Sequence, residues 1–408
     1  MAKGEKVLVL GGGIGGVETA FSLARKGFEV ELVSDKDYLW IYPITIWIPT
    51  GEITPEECKL PLTEVAERNG FTFTRAKVKK LSTADRKVLL ELDDGRTEER
   101  TYDRLVIATG GVKKKHPGLE HTFSTCGTPE EALRLKERYF ELIEKVRSGQ
   151  KKKAVLALGF GGNPKDPSGV RGGPVFELLF NFHYHLKKLG LRDKFEIVFF
   201  APMPKPGARL GEKNAERLVK FFEKLGIGYR VGKKIKEFQP DGILFEDGSK
   251  LETDLTVFTP ALDGHPLYKT DPDLPLNEAG FVKIDEHCAV PGTDYSVWAV
   301  GDAAAVEGPD WRAKQGHLAE VMGRIVARNL EKLVRGKPER MESYLPHVHI
   351  VCLMDMGPWG GIFFARTRKR IVMVPLPKVG HWLKKLWGWY YKNSKLGKLP
   401  RIPGVDAP

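Results

Sequence analysis

The stretch KVLVLGGGIGGVETAFSLARKGFEVELVSD, Lys6–Asp35, decides the fold. Val7–Leu10 is a short apolar run that suits a buried strand. The glycines that follow place Gly11, Gly13 and Gly16 in the spacing G-x-G-x-x-G. Gly11 permits the tight turn after the strand, Gly13 lets backbone approach a pyrophosphate, and Gly16 lets the ensuing helix pack closely on the sheet. Phosphates then lie at the positive end of a helix beginning near Gly15. A second strand is expected at Val30–Val33, ending in Ser34 and Asp35, where an acidic side chain usually takes the ribose hydroxyls. Ser34 holds the usual place and Asp35 follows it, so both are candidate ribose contacts. A dinucleotide-binding α/β fold is the expectation.

Working outward, Tyr102–Gly110 reads as an apolar strand ending in Ala108-Thr109-Gly110, a backbone able to pass close to a bound dinucleotide. Much later, Val297–Val300 delivers Gly301-Asp302 to the start of a helix. The aspartate there can accept hydrogen bonds from a ribityl chain. Paired with the turn at Gly11, it makes the expected dinucleotide FAD, with Lys314 and Gln315 beside the helix start that faces the flavin. A helix amino terminus at this place stabilises negative charge on a reduced ring. His317 reads as a structural or surface residue rather than a proton donor.

Between the two halves lies a second nucleotide-like fold with an abnormal turn. Its first strand, Ala154–Leu158, is followed by a segment of about ten extra residues before the helix expected at Val175–Leu189. The next strand, Glu196–Phe200, ends in Ala201-Pro202 with no carboxylate for a nicotinamide ribose. These features argue against NAD(P)H. The expected organisation is a discontinuous FAD domain over 1–112 and 266–340, a second Rossmann-like domain over 113–265, and a C-terminal region over 341–408.

The chain has 408 residues, ample for such cores, and a formal net charge of +12, suited to an anionic membrane surface or acidic ligands. No nucleic-acid motif and no metal-ligand spacing is present, so neither partner is expected. Four cysteines, Cys58, Cys126, Cys288 and Cys352, are too few for a secreted disulfide scaffold of this length. The amino terminus runs straight into a strand, so no signal peptide is expected. Asn and Gln together number only ten, which leans towards a thermophile. Tyr38–Pro49, YLWIYPITIWIP, is read either as core or as a wall beside a flat aromatic ring. Near the end, HWLKKLWGWYYK (His381–Lys392) places Trp382, Leu386 and Trp389 on one helical face, with Trp387 and Tyr390 beside them. Lys384, Lys385 and Lys392 are expected to supply cations. Such a helix suits a membrane surface, the alternative being packing on its own protein or on a dimer partner.

With these motifs in order, the chain resembles the sulfide:quinone oxidoreductases, FAD enzymes of the two-dinucleotide-domain disulfide reductase superfamily. The resemblance is carried by Gly11–Gly16, Ala108-Thr109-Gly110, Ser124-Thr125-Cys126, Gly173-Pro174-Val175-Phe176-Glu177, Val300-Gly301-Asp302, Lys314-Gln315-Gly316-His317, Val351–Asp355 and the Trp-Lys-Tyr tail. It implies a peripheral membrane enzyme that passes electrons from a sulfur donor through FAD to a quinone, working as an oligomer or beside a partner sulfur enzyme. Cys126 and Cys352 match the family's first and last cysteines, and Glu177 matches its acidic residue near the redox pair. The family's middle cysteine is missing, and Arg171 or a neighbour stands there. Three outcomes are open: Cys126 and Cys352 pair; Cys352 acts alone while Arg171 holds an anionic persulfide or thiol; or the flavin serves another donor. The other readings are an NADH:quinone oxidoreductase and a non-catalytic electron-transfer subunit.

Overall fold

The computed structural model describes residues 4–402. The Gly-rich stretch folds as expected: strand Lys6–Leu10, helix Ile14–Ala24, strand Glu29–Ser34. These strands pair in parallel, and Arg104–Ile107 pairs in parallel on the other side of Lys6–Leu10. Val297–Ala299 adds to Arg104–Ile107, so the two distant halves of the chain complete one sheet. On the far side stand Thr72–Ser82, Lys87–Leu92 and Thr97–Thr101, the last two joined antiparallel as a meander. Val7, Val9, Leu10, Leu32, Val33 and Ile107 are essentially without solvent exposure, as befits strands covered on both faces.

A second, four-stranded parallel sheet is ordered Ile227–Val231, Phe195–Ala201, Ala154–Phe160, Leu255–Thr259. Its helix, Gly173–Lys188, starts late, as the sequence requires. The intervening segment folds into fixed structure. The Asn163 amide donates to Leu262 O (2.7 Å) and to Asp263 (2.8 Å). Buried Asp166 accepts from the Ser168 hydroxyl and from Asn277 (3.0 Å). Lys314 N donates to Ser168 O (2.9 Å), which ties the insertion to the FAD domain. The insertion is therefore tethered to Leu262, Asp263, Asn277 and Lys314.

A third sheet, antiparallel, comprises Ile350–Asp355, Gly360–Arg366 and Ile371–Pro377. The C-terminal helix, Gly380–Lys395, packs against it. No helix among the described residues is long and apolar enough to cross a membrane. The Tyr38–Pro49 segment is largely core: Ile41, Ile46, Trp47 and Ile48 are buried, while Tyr42 keeps about a third of its surface exposed.

Candidate functional site

The glycines of the first turn divide into two kinds. Gly11 has φ of +110°, and a Cβ there would meet Ala108 O at 2.3 Å. A Cβ at Gly16 would lie 1.8 Å from Gly11 O. Both are demanded by the fold itself. Gly13 is the N-cap of the first helix and has no side chain to close the helix end. A Cβ placed on it would meet nothing within 4 Å. That open space at a helix amino terminus is where a pyrophosphate fits. Gly16→Ala is therefore expected to destabilise the protein by about 2 kcal/mol or more. Gly13→Ala leaves stability of the flavin-free protein nearly unchanged but lowers its FAD content; thermal unfolding and bound-flavin absorbance check the pair.

Around this turn the other sequence candidates gather. Ser34 is buried and presses against Gly12, while Asp35 is exposed beyond it. Tyr268 fixes the Ala-Thr-Gly backbone: its hydroxyl donates to Gly110 O (2.5 Å) and lies 2.9 Å from Thr109 Oγ1. Gly301 has φ of +63°, and Asp302 next to it is half-buried. Lys314 is buried, donates to Ala304 O, and stands 4.0 Å from the Phe281 ring centroid. Burial pulls its pKa down to about 8 against the opposing pull of Asp302 and Asp166. Gln315 caps the helix Gly316–Val334, and its Oε1 accepts from Val351 N (3.2 Å), tying this end of the FAD domain to the strand of Cys352. Open cradle, acidic acceptor and helix terminus together fit FAD. His317, pushed down to about 4 by burial and by His349, is neutral at physiological pH.

The sulfur candidates fall into two clusters. Cys126 is buried, with the Thr259 hydroxyl 4.0 Å from Sγ. Beside it Tyr42 is pushed up to about 12, by burial first, with Cys126 and Asp302 adding to the rise and Arg171 opposing it. Arg171 Nε is buried with no partner among the described residues. Cys352 belongs to the second cluster. Burial, then the Glu177 carboxylate, pushes its thiol up to about 12, and Lys384 opposes the shift. Glu177 is itself raised by burial, accepts from Asp355 N (2.8 Å) and pairs with Lys384. All four cysteines are free thiols.

Between the third sheet and the C-terminal helix runs an apolar groove of about 730 Å³, lined by Leu353, Phe363, Leu376, Leu383, Leu386 and Trp387 among others. Trp382, Leu386 and Trp389 are each more than half exposed, and with Trp359 and Val379 they make a continuous apolar face. Two expectations for this helix need correction. Lys384 is buried against Glu177 instead of serving as a surface cation, because burying it beside a carboxylate satisfies both charges. Tyr390 also turns inward, donating to Pro400 O (2.9 Å), and Trp387 packs against Tyr391. Sequence reading singled out neither His381, held between Asp355 (2.8 Å) and Glu52 (2.9 Å), nor the ion cluster of Lys395, Glu18, Glu320, Arg324 and Arg401. Their partners lie from 26 to several hundred residues away, on other elements, so no local signal marks them.

A family model described as pyridine nucleotide-disulphide oxidoreductase matches residues 5–323. The sulfide-quinone reductase of Aquifex aeolicus is 26% identical over 414 residues, covering 96% of this chain and 92% of that protein. A type II NADH:quinone oxidoreductase of Mycobacterium tuberculosis is 26% identical over 320 residues, covering 74% and 68%. The X-ray structure of the Aquifex aeolicus sulfide:quinone oxidoreductase superposes with a TM-score of 0.83 at 24% identity, covering 97% of this chain and 92% of that one.

Proposed function

Because the chain belongs to the pyridine nucleotide-disulphide oxidoreductase family, we propose that it oxidises sulfide or a related sulfur species at the membrane surface and reduces a quinone. It is an FAD-dependent oxidoreductase, and FAD when bound supplies a two-electron redox centre. The observation that carries the reading is one strand, Ile350–Asp355, with two chemistries. Cys352 stands by the buried Glu177–Lys384 pair, while its neighbour Leu353 lines the apolar groove. Alternate residues of a strand face opposite ways, so the thiol and the groove lie on either side of a single layer. A groove of that size with hydrocarbon and indole walls suits a quinone ring and its isoprenoid tail. The exposed indoles of Trp382 and Trp389 suit the interfacial layer of a bilayer.

Arg171, with its unpartnered nitrogen near Cys126, is the residue we assign to an anionic sulfur group, since a guanidinium binds such groups through fixed donors. Anaerobic addition of sulfide to the purified flavoprotein is expected to bleach the oxidised-flavin absorbance, and decylubiquinone to restore it. Absence of bleaching sinks the sulfur half of the reading, and absence of recovery the quinone half.

The likeness to a type II NADH:quinone oxidoreductase gives a second reading. Against it stands the insertion pinned by Asn163 and Asp166, which fills the region after Ala154–Phe160 where a second phosphate cradle belongs. NADH is accordingly expected to leave the flavin oxidised; rapid bleaching by NADH overturns that judgement.

A further inference from the structure

Making a quinol from a quinone takes two electrons and two protons. In the exchange with reduced flavin, the electron pair and one proton come from the flavin, so the second proton has to come from the protein. The groove itself has nothing suitable. Among its described lining residues the one ionisable side chain is Tyr390, whose hydroxyl is committed to Pro400 O.

Directly behind the wall is a chain of ionisable groups that leads to solvent. Glu52, partly exposed, stands 2.9 Å from His381 Nε2. His381 Nδ1 stands 2.8 Å from Asp355 Oδ1, and both His381 and Asp355 are buried. Asp355 Oδ2 accepts from Trp47 Nε1 (2.9 Å), and Asp355 N donates to Glu177 Oε1 (2.8 Å). Glu177 pairs with Lys384, the immediate neighbour of groove-lining Leu383. His381 and Lys384 are one helical turn apart, so a single face of the C-terminal helix carries both.

We propose that Glu52, His381 and Asp355 form a proton-uptake route that supplies quinone reduction, with Asp355 as its inner end, two residues along the strand from groove-lining Leu353 and so on the same strand face. This rests on the quinone reading above. An imidazole between two carboxylates suits the task, since a proton arriving at Nε2 releases one from Nδ1. The outer carboxylate takes protons from water, and the inner one passes them on. The charged groups facing His381 are Asp355 from its strand, Glu52 from its loop, and Lys385, which also binds Glu52; Lys384 acts on Asp355. Burial opposes charge on the ring, yet the hydrogen bonds it donates to the two carboxylates outweigh burial and raise His381 to about 9. The ring is thus a loaded donor at neutral pH and is exhausted above that value.

The test is independent of the sulfur donor. Holoenzyme reduced with dithionite is mixed anaerobically with decylubiquinone, and flavin reoxidation is followed by stopped flow. For the parent, the rate is expected to fall as pH rises through about 9 and to show a solvent isotope effect. His381→Gln and Glu52→Gln are each expected to slow reoxidation about 10²-fold and to abolish that alkaline fall. A readout apart from turnover is NMR of ring-labelled histidine. One resonance should titrate near 9 in the parent and be absent in His381→Gln. Glu52→Gln, at the surface, guards against a variant that simply misfolds. Parental rates and an unchanged pH profile in both variants overturn the relay alone. A parent enzyme that decylubiquinone does not reoxidise overturns the quinone reading and the relay together.

Discussion

Cys352→Ser leaves the flavin oxidised when sulfide is added: the bleaching rate falls roughly 10³-fold or more. The expectation follows from what the reaction needs and from where this thiol sits. Sulfide becomes sulfane sulfur on a cysteine only as two electrons leave, which FAD when bound would accept, and a hydroxyl in place of the thiol cannot form the sulfur–sulfur bond. Cys352 is held as a thiol, with a pKa of about 12 that burial and Glu177 impose. The buried Glu177 carboxylate beside it is the available base, and Lys384 steadies the charge that forms. The bleaching rate of the parent is therefore expected to rise with pH, and Glu177→Gln to lower it without removing the thiol. A Cys352→Ser variant bleached as fast as the parent removes this residue from the chemistry and transfers the sulfur to Cys126.

The second large effect is on stability. Lys395, on the last turn of the C-terminal helix, is buried against Glu18 and Glu320. Glu18 lies two residues beyond Gly16 on the first helix, and Glu320 lies on the helix that Gln315 caps. Lys395→Met leaves two buried carboxylates facing each other, with Arg324 and Arg401 engaged by Glu18. Removing one member of such a cluster costs about 3–5 kcal/mol, a large share of the roughly 5–15 kcal/mol that holds a domain together. Urea unfolding at pH 7 measures it. The signs with pH differ between the two acids. Glu18 is lowered to about 2: burial opposes its charge, but Lys395 and Arg401 prevail, so its contribution is lost as pH falls towards that value. Glu320 is raised by burial, so in Lys395→Met its protonation relieves the strain, and the deficit against the parent is expected to shrink as pH falls from 7 to 5.

The two cases show which parts of this molecule could be read from the sequence. The turn at Gly11–Gly16 and the Thr109-Gly110 backbone were legible because strand, turn and helix impose local spacing, and the observed elements follow it closely. Gly301-Asp302 was expected to open a helix, but it opens only the single turn Gly301–Ala303, and the long helix starts at Gly316. The late start of Gly173–Lys188 was legible from the same local spacing. The charged interior was not. Lys384 looked like a surface cation because its neighbours are Trp and Leu, and only Glu177, 207 residues away, turns it inward. His381 and Glu52, or Lys395 and Glu18, are likewise joined by the fold alone.

The C-terminal helix also bears on how the protein is handled in the laboratory. Its outward residues, Trp382, Leu386 and Trp389, have no ionic partners among the described residues, whereas the inward His381, Lys384 and Lys395 hold the body together. Water solubility and structural integrity are therefore encoded on opposite sides of one helix and can be engineered separately. If the outward face docks on a bilayer as proposed, exchanging its indoles for polar residues is expected to lower the need for detergent, whereas deleting the helix removes Lys395 from Glu18 and Glu320.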